Sequence, residues 1–204
     1  MNTQSSFIAA MGGHLKDLAN MASFKITNPH SWSKYRQLKA VGKRTQADCL
    51  IETGTYLGNT TMRCSRVFKK VYTIELDQKL FQKASEYLSS RDNVECIQGD
   101  ATVELPKVLG RPECVNTVIF LDGHFSKGDT AHGDLAEPAC ELLSSLAAYK
   151  EKIQGIVVDD FRLFGIDAGW PKKSELIKSA EDCFGDFSIA VHLDQLVLER
   201  RKSE

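Results

Sequence analysis

The sequence has no surplus of basic charge. Lysine and arginine number 26 against 27 aspartates and glutamates, a formal net charge of −1. Chains that grip nucleic acid usually carry a basic footprint, so its absence sets the expectation of no nucleic-acid partner. No apolar run approaches the roughly 20 residues that span a bilayer, so no membrane partner is expected either. The apolar patch at 7–11 has no basic residue before it, which argues against a signal peptide. The six cysteines (Cys49, Cys64, Cys96, Cys114, Cys140 and Cys183) are never in CxxC spacing. A zinc site or disulfide framework is therefore not expected, and a reducing, cytoplasmic compartment fits better. Internal repeats and low-complexity segments are also missing. The 204 residues suit one domain with a sizeable core and room for an appended segment.

What is present is alternation. From residue 48 onward, short apolar runs alternate with helical spacing. Strands are expected at 48–52, 70–76, 94–98, 116–121 and 155–158. The helices between them carry stripes such as Leu80, Phe81, Ala84, Tyr87 and Leu88, with Asp77 placed as the cap. Two further strands, 188–192 and 195–199, are joined too tightly for a helical crossover and should be antiparallel. The pattern predicts an α/β fold: a Rossmann-like, doubly wound, mostly parallel sheet with helices on both faces. Residues 1–46 stand apart. Leu15, Leu18, Ala19 and Ala22, and then Trp32, Tyr35 and Leu38, have helical spacing on either side of Asn28 and Pro29. They read as helices packing on the main domain, with a lid over the site or a homodimer contact as the functional alternative. The basic run 39–44 reads as a solvated connector.

Ligands in such sheets bind beyond the carboxyl ends of the strands. The first strand ends in Glu52, Gly54 and Gly58, a glycine turn that opens a helix. Such a turn leaves backbone N–H groups free, and its glycines let a ligand approach the main chain. Every later parallel strand also ends in acid: Glu75 and Asp77, then Asp100, then Asp122, then Asp159 and Asp160. Glu75 stands about twenty residues past Gly54, the separation at which an acid reaches ribose hydroxyls. The turn is Gly-x-x-x-Gly rather than Gly-x-Gly-x-x-Gly, so a nucleoside without phosphates is expected over a dinucleotide.

With Glu52, Gly54, Gly58, Glu75, Gly99, Asp100, Ala101 and the terminal hairpin in place, residues 48–200 resemble the class I S-adenosylmethionine-dependent methyltransferases. The resemblance implies a seven-stranded sheet with an antiparallel last strand. It also implies an extension or cap over 1–46 and a cofactor-binding domain over 47–204. By position, Glu52 and Gly54 would line the methionine part of S-adenosylmethionine. Glu75 would hold the ribose, and Asp100 with Ala101 would flank the adenine. Thr55, Tyr56, Gly58, Thr60 and Asp122 complete the implied cofactor set.

A second resemblance is carried by Asp122, Gly123 and His124 after the fourth strand and by Asp159 and Asp160 after the fifth. It is to the metal-dependent O-methyltransferases of the catechol and macrolide-sugar kinds. It implies magnesium held by Asp122, Asp159 and Asp160, all oxygen donors suited to a hard cation. It also implies a hydroxyl acceptor on a sugar or small metabolite, with the metal lowering the hydroxyl's pKa. Asp122 and His124 are the catalytic candidates. His124 is either the base or a loop histidine orienting a metal ligand, and Lys127 is the nearest lysine alternative. The polar loop 125–133 and the aromatic pair Phe164 and Trp170 are candidates for the acceptor wall; the two rings could equally pack on the N-terminal helices. Rival readings are a metal-independent methyltransferase and a non-catalytic nucleoside-binding partner subunit.

Overall fold

A computed structural model describes residues 7–23, 30–123 and 138–201. The strands are β1 (Cys49–Thr53), β2 (Lys70–Glu75), β3 (Val94–Gln98), β4 (Thr117–Leu121), β5 (Ile153–Val158), β6 (Phe187–His192) and β7 (Gln195–Arg200). The helices are α1 (Phe7–Ala22), α2 (Ser31–Thr45), α3 (Asn59–Cys64), α4 (Gln78–Leu88), α5 (Ala101–Leu109), α6 (Ala139–Leu146) and α7 (Lys173–Phe184). The strands make one seven-stranded sheet in the order β3-β2-β1-β4-β5-β7-β6. β1 to β5 pair in parallel, and β7 runs antiparallel between β5 and β6. The doubly wound sheet read from the alternation is therefore the observed one.

Successive strand residues point to opposite faces, and each face has its own core. Ile51, Ile74, Ile119, Ile156 and Leu198 pack under α5, α6 and α7. Leu50, Val71, Val118, Phe120, Val157 and Val197 pack against Leu38 and Val41 of α2 and the end of α3. The run 39–44 is thus no connector. It is the second half of α2, with Val41 fully buried and Arg44 paired to Glu199 of β7. Its basic residues misled because they lie on the outer side of a helix whose inner side is apolar. α2 sits close to the sheet because Gly155 of β5 offers no side chain: a Cβ there would lie 2.8 Å from Val41 Cγ1. Val41→Ala is expected to cost about 2 kcal/mol in urea unfolding with an unchanged m-value, because the cavity would open against rigid backbone.

α1 packs through a largely polar face. Leu15 is 61% exposed, and Leu18 is also exposed, together with Ile8 and Met11. The packed face carries His14 and Asp17 instead. Asp17 accepts from the backbone N–H of His30 at 2.9 Å and from Ser33 Oγ, and His14 Nδ1 lies 2.9 Å from Ser33 Oγ. His30, the N-cap residue of α2, makes no cap bond with its own side chain. The cap comes from Asp17, and polar pairing outweighs the leucine stripe in orienting α1.

Candidate functional site

All five parallel strands deliver their carboxyl ends to one rim, so the acids at 52, 75, 100, 122, 159 and 160 share an edge of the sheet. The strand order reverses between β1 and β4, which marks the crevice where open α/β sheets take ligands. Gly54 is at the bottom of that crevice with φ +82°. A Cβ on it would lie 2.6 Å from the Asp122 carbonyl oxygen and 2.8 Å from Gly123 Cα. The glycine is therefore required by protein backbone, because the β1 and β4 loops touch through it.

Four N–H groups of the turn are engaged inside the protein. Gly54 N–H and Thr55 N–H both donate to the Ile74 carbonyl, at 2.9 and 3.3 Å, and Gly58 N–H donates to the Thr55 carbonyl at 2.9 Å. Tyr56 N–H donates to Glu75 Oε2 at 2.8 Å. β2 runs beside β1 and takes three of these donors, those of Gly54, Thr55 and Tyr56. What the turn offers outward is Tyr56, 61% exposed and held at φ +49°, a conformation unusual for an aromatic residue.

Glu75 is oriented by two backbone donors, Tyr56 N–H on Oε2 and Asp77 N–H at 3.0 Å on Oε1. Each carboxylate oxygen keeps a second lone pair, which suits two adjacent hydroxyls. Asp77 caps α4 through Leu80 N–H at 2.8 Å, as read from the sequence. Asp100 caps α5, its Oδ1 accepting from Thr102 N–H and Thr102 Oγ1. Leu76, beside Glu75, and Val103, in the first turn after Asp100, are apolar yet exposed. Together with Tyr56 they flank the two acids with uncovered apolar surface, a feature that sequence reasoning missed. For Leu76 the signal was an apolar residue placed one step past a strand end.

Glu52, Thr55 and Thr60 are beneath the rim rather than on it. Glu52 is 1% exposed and accepts from Thr61 Oγ1 and, at 2.8 Å, from Thr73 Oγ1. Thr55 is hydrogen-bonded to Thr73 at 2.6 Å. Thr60 is largely buried in the first turn of α3, and Ala101 opens α5 half-buried. Burial pushes the Glu52 carboxyl up to about 7, against the pull of the two threonine hydroxyls.

On the other side of the crevice, Asp122, Asp159 and Asp160 come together, each offering an oxygen within 4.8 Å of the others. They line one cleft with Leu121, Leu142 and Trp170. Phe164 packs edge-on behind Trp170, ring centroids 5.0 Å apart, and is buried in the α6–α7 core rather than against the N-terminal helices.

The acid cluster is already compensated. Lys34 of α2 places its Nζ 2.8 Å from both oxygens of Asp122 and 2.6 Å from Asp159 Oδ2. Gln195 donates to Asp159 Oδ1 at 2.8 Å. Arg162 donates to Asp160 Oδ1 at 2.7 Å and pairs with Asp194 in the β6–β7 turn. Burial alone would lower the Lys34 ammonium, but Asp122 and Asp159 outweigh it and hold the pKa well above its usual range. Burial raises the Asp122 carboxyl well above the carboxylate range; Lys34 opposes this and Asp159 reinforces it.

A divalent cation needs these oxygens at about 2.0–2.6 Å. The ammonium occupies the space between Asp122 and Asp159 where such an ion would be, so the residues as placed do not fit magnesium. Sequence reasoning missed Lys34, though a signal existed. Lys34, Leu38 and Val41 are spaced four and three apart, which puts a lysine in phase with the buried stripe of α2. His124, Lys127 and the loop 125–133 lie outside the described residues.

This is the fold of the class I S-adenosylmethionine-dependent methyltransferases. Solved structures similar to it include the O-methyltransferase TomG from Streptomyces achromogenes, involved in tomaymycin synthesis and bound to S-adenosylmethionine. It is 16% identical with a TM-score of 0.60, over 98% of this chain and 91% of that one. An O-methyltransferase from Bacillus cereus bound to S-adenosylhomocysteine is also 16% identical with a TM-score of 0.60, over 92% of this chain and 89% of that one. Among curated proteins, the ribosomal RNA small subunit methyltransferase A of Pelotomaculum thermopropionicum is 33% identical over 93 residues, 45% of this chain and 29% of its own length. A Methanococcus maripaludis protein named "Probable ribosomal RNA small subunit methyltransferase A" is 41% identical over 66 residues, 32% of this chain. The chain spans about a quarter of the length of the first curated relatives it matches. No protein-family model matches.

These relatives correct one expectation. A net charge of −1 does not exclude a nucleic-acid partner, since proteins named for ribosomal RNA share sequence with this chain. Net charge describes the whole surface, and RNA contacts need only a local one. No described helix is long and apolar enough to cross a membrane.

Proposed function

We propose that the chain is an S-adenosylmethionine-dependent methyltransferase acting on a hydroxyl of a small polar molecule such as a sugar or metabolite. The observation that carries this reading is the placing of Glu75, Asp100 and Asp122 on one rim around the β1–β4 crevice, the first two edged by exposed apolar side chains. The donor set fits an adenosine: a carboxylate with two lone pairs for the ribose, an acid at the head of α5, and Tyr56, Leu76 and Val103 for the faces of a base. The engagement of the Gly54, Thr55, Tyr56 and Gly58 N–H groups inside the protein agrees with a ligand lacking phosphates. Bound there, the cofactor supplies an electrophilic methyl group.

The remaining work falls to the protein. Asp122 and the Trp170 cleft orient an acceptor hydroxyl toward the methyl carbon, and Asp122 or His124 receives its proton. Residues 47–204 hold the cofactor groups, while 1–46 add α1, α2 and Lys34 to the acceptor side. Six cysteines with no CxxC spacing among them suit a reducing compartment, which is the setting we propose.

Calorimetry with S-adenosylmethionine and S-adenosylhomocysteine tests the cofactor half. Glu75→Ala is expected to raise both dissociation constants about fiftyfold, roughly 2 kcal/mol, because two orienting N–H groups lose their acceptor along with the ribose. No binding to the wild type would sink the reading. A second acceptor class, RNA, is favoured by the local likeness to the ribosomal RNA methyltransferases. Transfer of labelled methyl into RNA rather than into small hydroxyl compounds would select it. Cofactor binding with no turnover on either would point to a partner subunit.

A further inference from the structure

We propose that Lys34 is the resident cation of the β4–β5 rim, standing where a divalent ion would be, so that this chain works without one. Lys34 Nζ donates to both oxygens of Asp122 at 2.8 Å and makes an ion pair with Asp159 Oδ2 at 2.6 Å. The remaining oxygen of Asp159 is taken by Gln195, and Asp160 is engaged by Arg162. The Lys34 side chain is only 11% exposed, and its Nζ lies over the Phe120 ring, 6.0 Å from the centroid.

The placement is built rather than incidental. Lys34 is one helical turn before Leu38 and two before Val41, both fully buried on the sheet. α2 therefore cannot withdraw the amine without exposing its own core contacts. A divalent ion entering the cluster would have to expel a buried charge of the same sign, at a distance where the repulsion is large. Asp122 thus faces the acceptor as one arm of an ion pair. Lys34 is a positioning residue with no lone pair to act as a base. Its part in methyl transfer rests on the function proposed above; its occupancy of the cluster does not.

The test is calorimetric titration of Mn2+ and Mg2+ into the full chain without S-adenosylmethionine, so its result is separate from cofactor binding. The wild type is expected to bind neither below about millimolar concentrations, and EDTA treatment to leave its melting temperature and cofactor affinity unchanged. Lys34→Met keeps the stem and removes the charge, and it is expected to take up one Mn2+ at least tenfold more tightly than the wild type, with a rise in melting temperature on adding the ion. Lys34→Arg should stay closed to the ion. Stoichiometric, tight Mn2+ binding by the wild type would overturn the proposal. So would a folded Lys34→Met that still binds none, since something other than the lysine would then exclude the ion. If Lys34→Met is not recovered folded, the wild-type titration decides alone.

Discussion

Gly54→Val is expected to leave little folded protein, with a loss of at least about 4 kcal/mol and no measurable binding of S-adenosylmethionine. Two costs add. At φ +82° an L side chain is strained by about 1–2 kcal/mol, more if it is β-branched. The larger cost is contact with backbone: a Cβ would be 2.6 Å from the Asp122 carbonyl oxygen and 2.9 Å from its carbon. A backbone carbonyl cannot rotate aside as a side chain can, so the β1 and β4 loops must separate. Their separation would pull Asp122 away from Lys34 and open the crevice. Gly58→Ala is the internal comparison. Its φ is +74°, but its added Cβ would meet Leu88 Cδ1 at 3.0 Å, the end of a flexible side chain. It should cost about 1–2 kcal/mol and keep cofactor binding. Chemical denaturation and calorimetry on the pair would measure both. Equal losses would show that the β1–β4 contact has no special weight.

The second large effect is on pH dependence. The Glu52 carboxyl is pushed up to about 7 from an ordinary 4.5, chiefly by burial. In the unfolded chain it ionises near its ordinary value. Between these two values the native state therefore binds more protons than the unfolded state, and stability falls as pH rises. The contribution is complete below about pH 4.5 and is lost as pH passes through about 7, a total of about 3 kcal/mol. Glu52→Gln keeps an acceptor for Thr61 and Thr73 and cannot ionise. Its stability should be flatter than the wild type's from pH 5 to 8, the two curves converging toward acid and diverging toward neutral. Parallel curves from urea melts at several pH values would mean that another group is responsible.

The reach of sequence reasoning differs between the fold and the site. Period-2 and period-3.6 patterns are local, so the alternation after residue 48 yielded the sheet and its antiparallel end, with strand boundaries within a residue or two. The rim followed from that fold, because parallel strands must deliver Glu75, Asp122 and Asp159 to the same edge. The compensation of charge did not follow. Lys34 meets Asp122 across 88 residues of chain, and Arg162 meets Asp194 across 32. No periodicity links such pairs; only the fold does. Three acids with oxygen donors resembled a metal site, and the lysine that pairs with two of them lay in a segment outside the alternating pattern. The turn misled for a related reason. Gly54 looked like room for a ligand, whereas its neighbour in space is the main chain after β4. α1 misled because a leucine stripe usually marks the inner face, and here Asp17 and His14 hold that side.

The groups that satisfy the Asp159 and Asp160 carboxylates lie on both sides of them in the chain. Lys34 is made early; Gln195 comes last, just after the tight turn between β6 and β7. During synthesis the nascent polypeptide carries these acids out of the exit tunnel well before their final partners. β7 must also slot between β5 and β6, so the sheet cannot close in the order in which its strands emerge. Closure of the sheet therefore waits on β7, and a chain lacking it would hold an open edge on β5, a form suited to capture by chaperones.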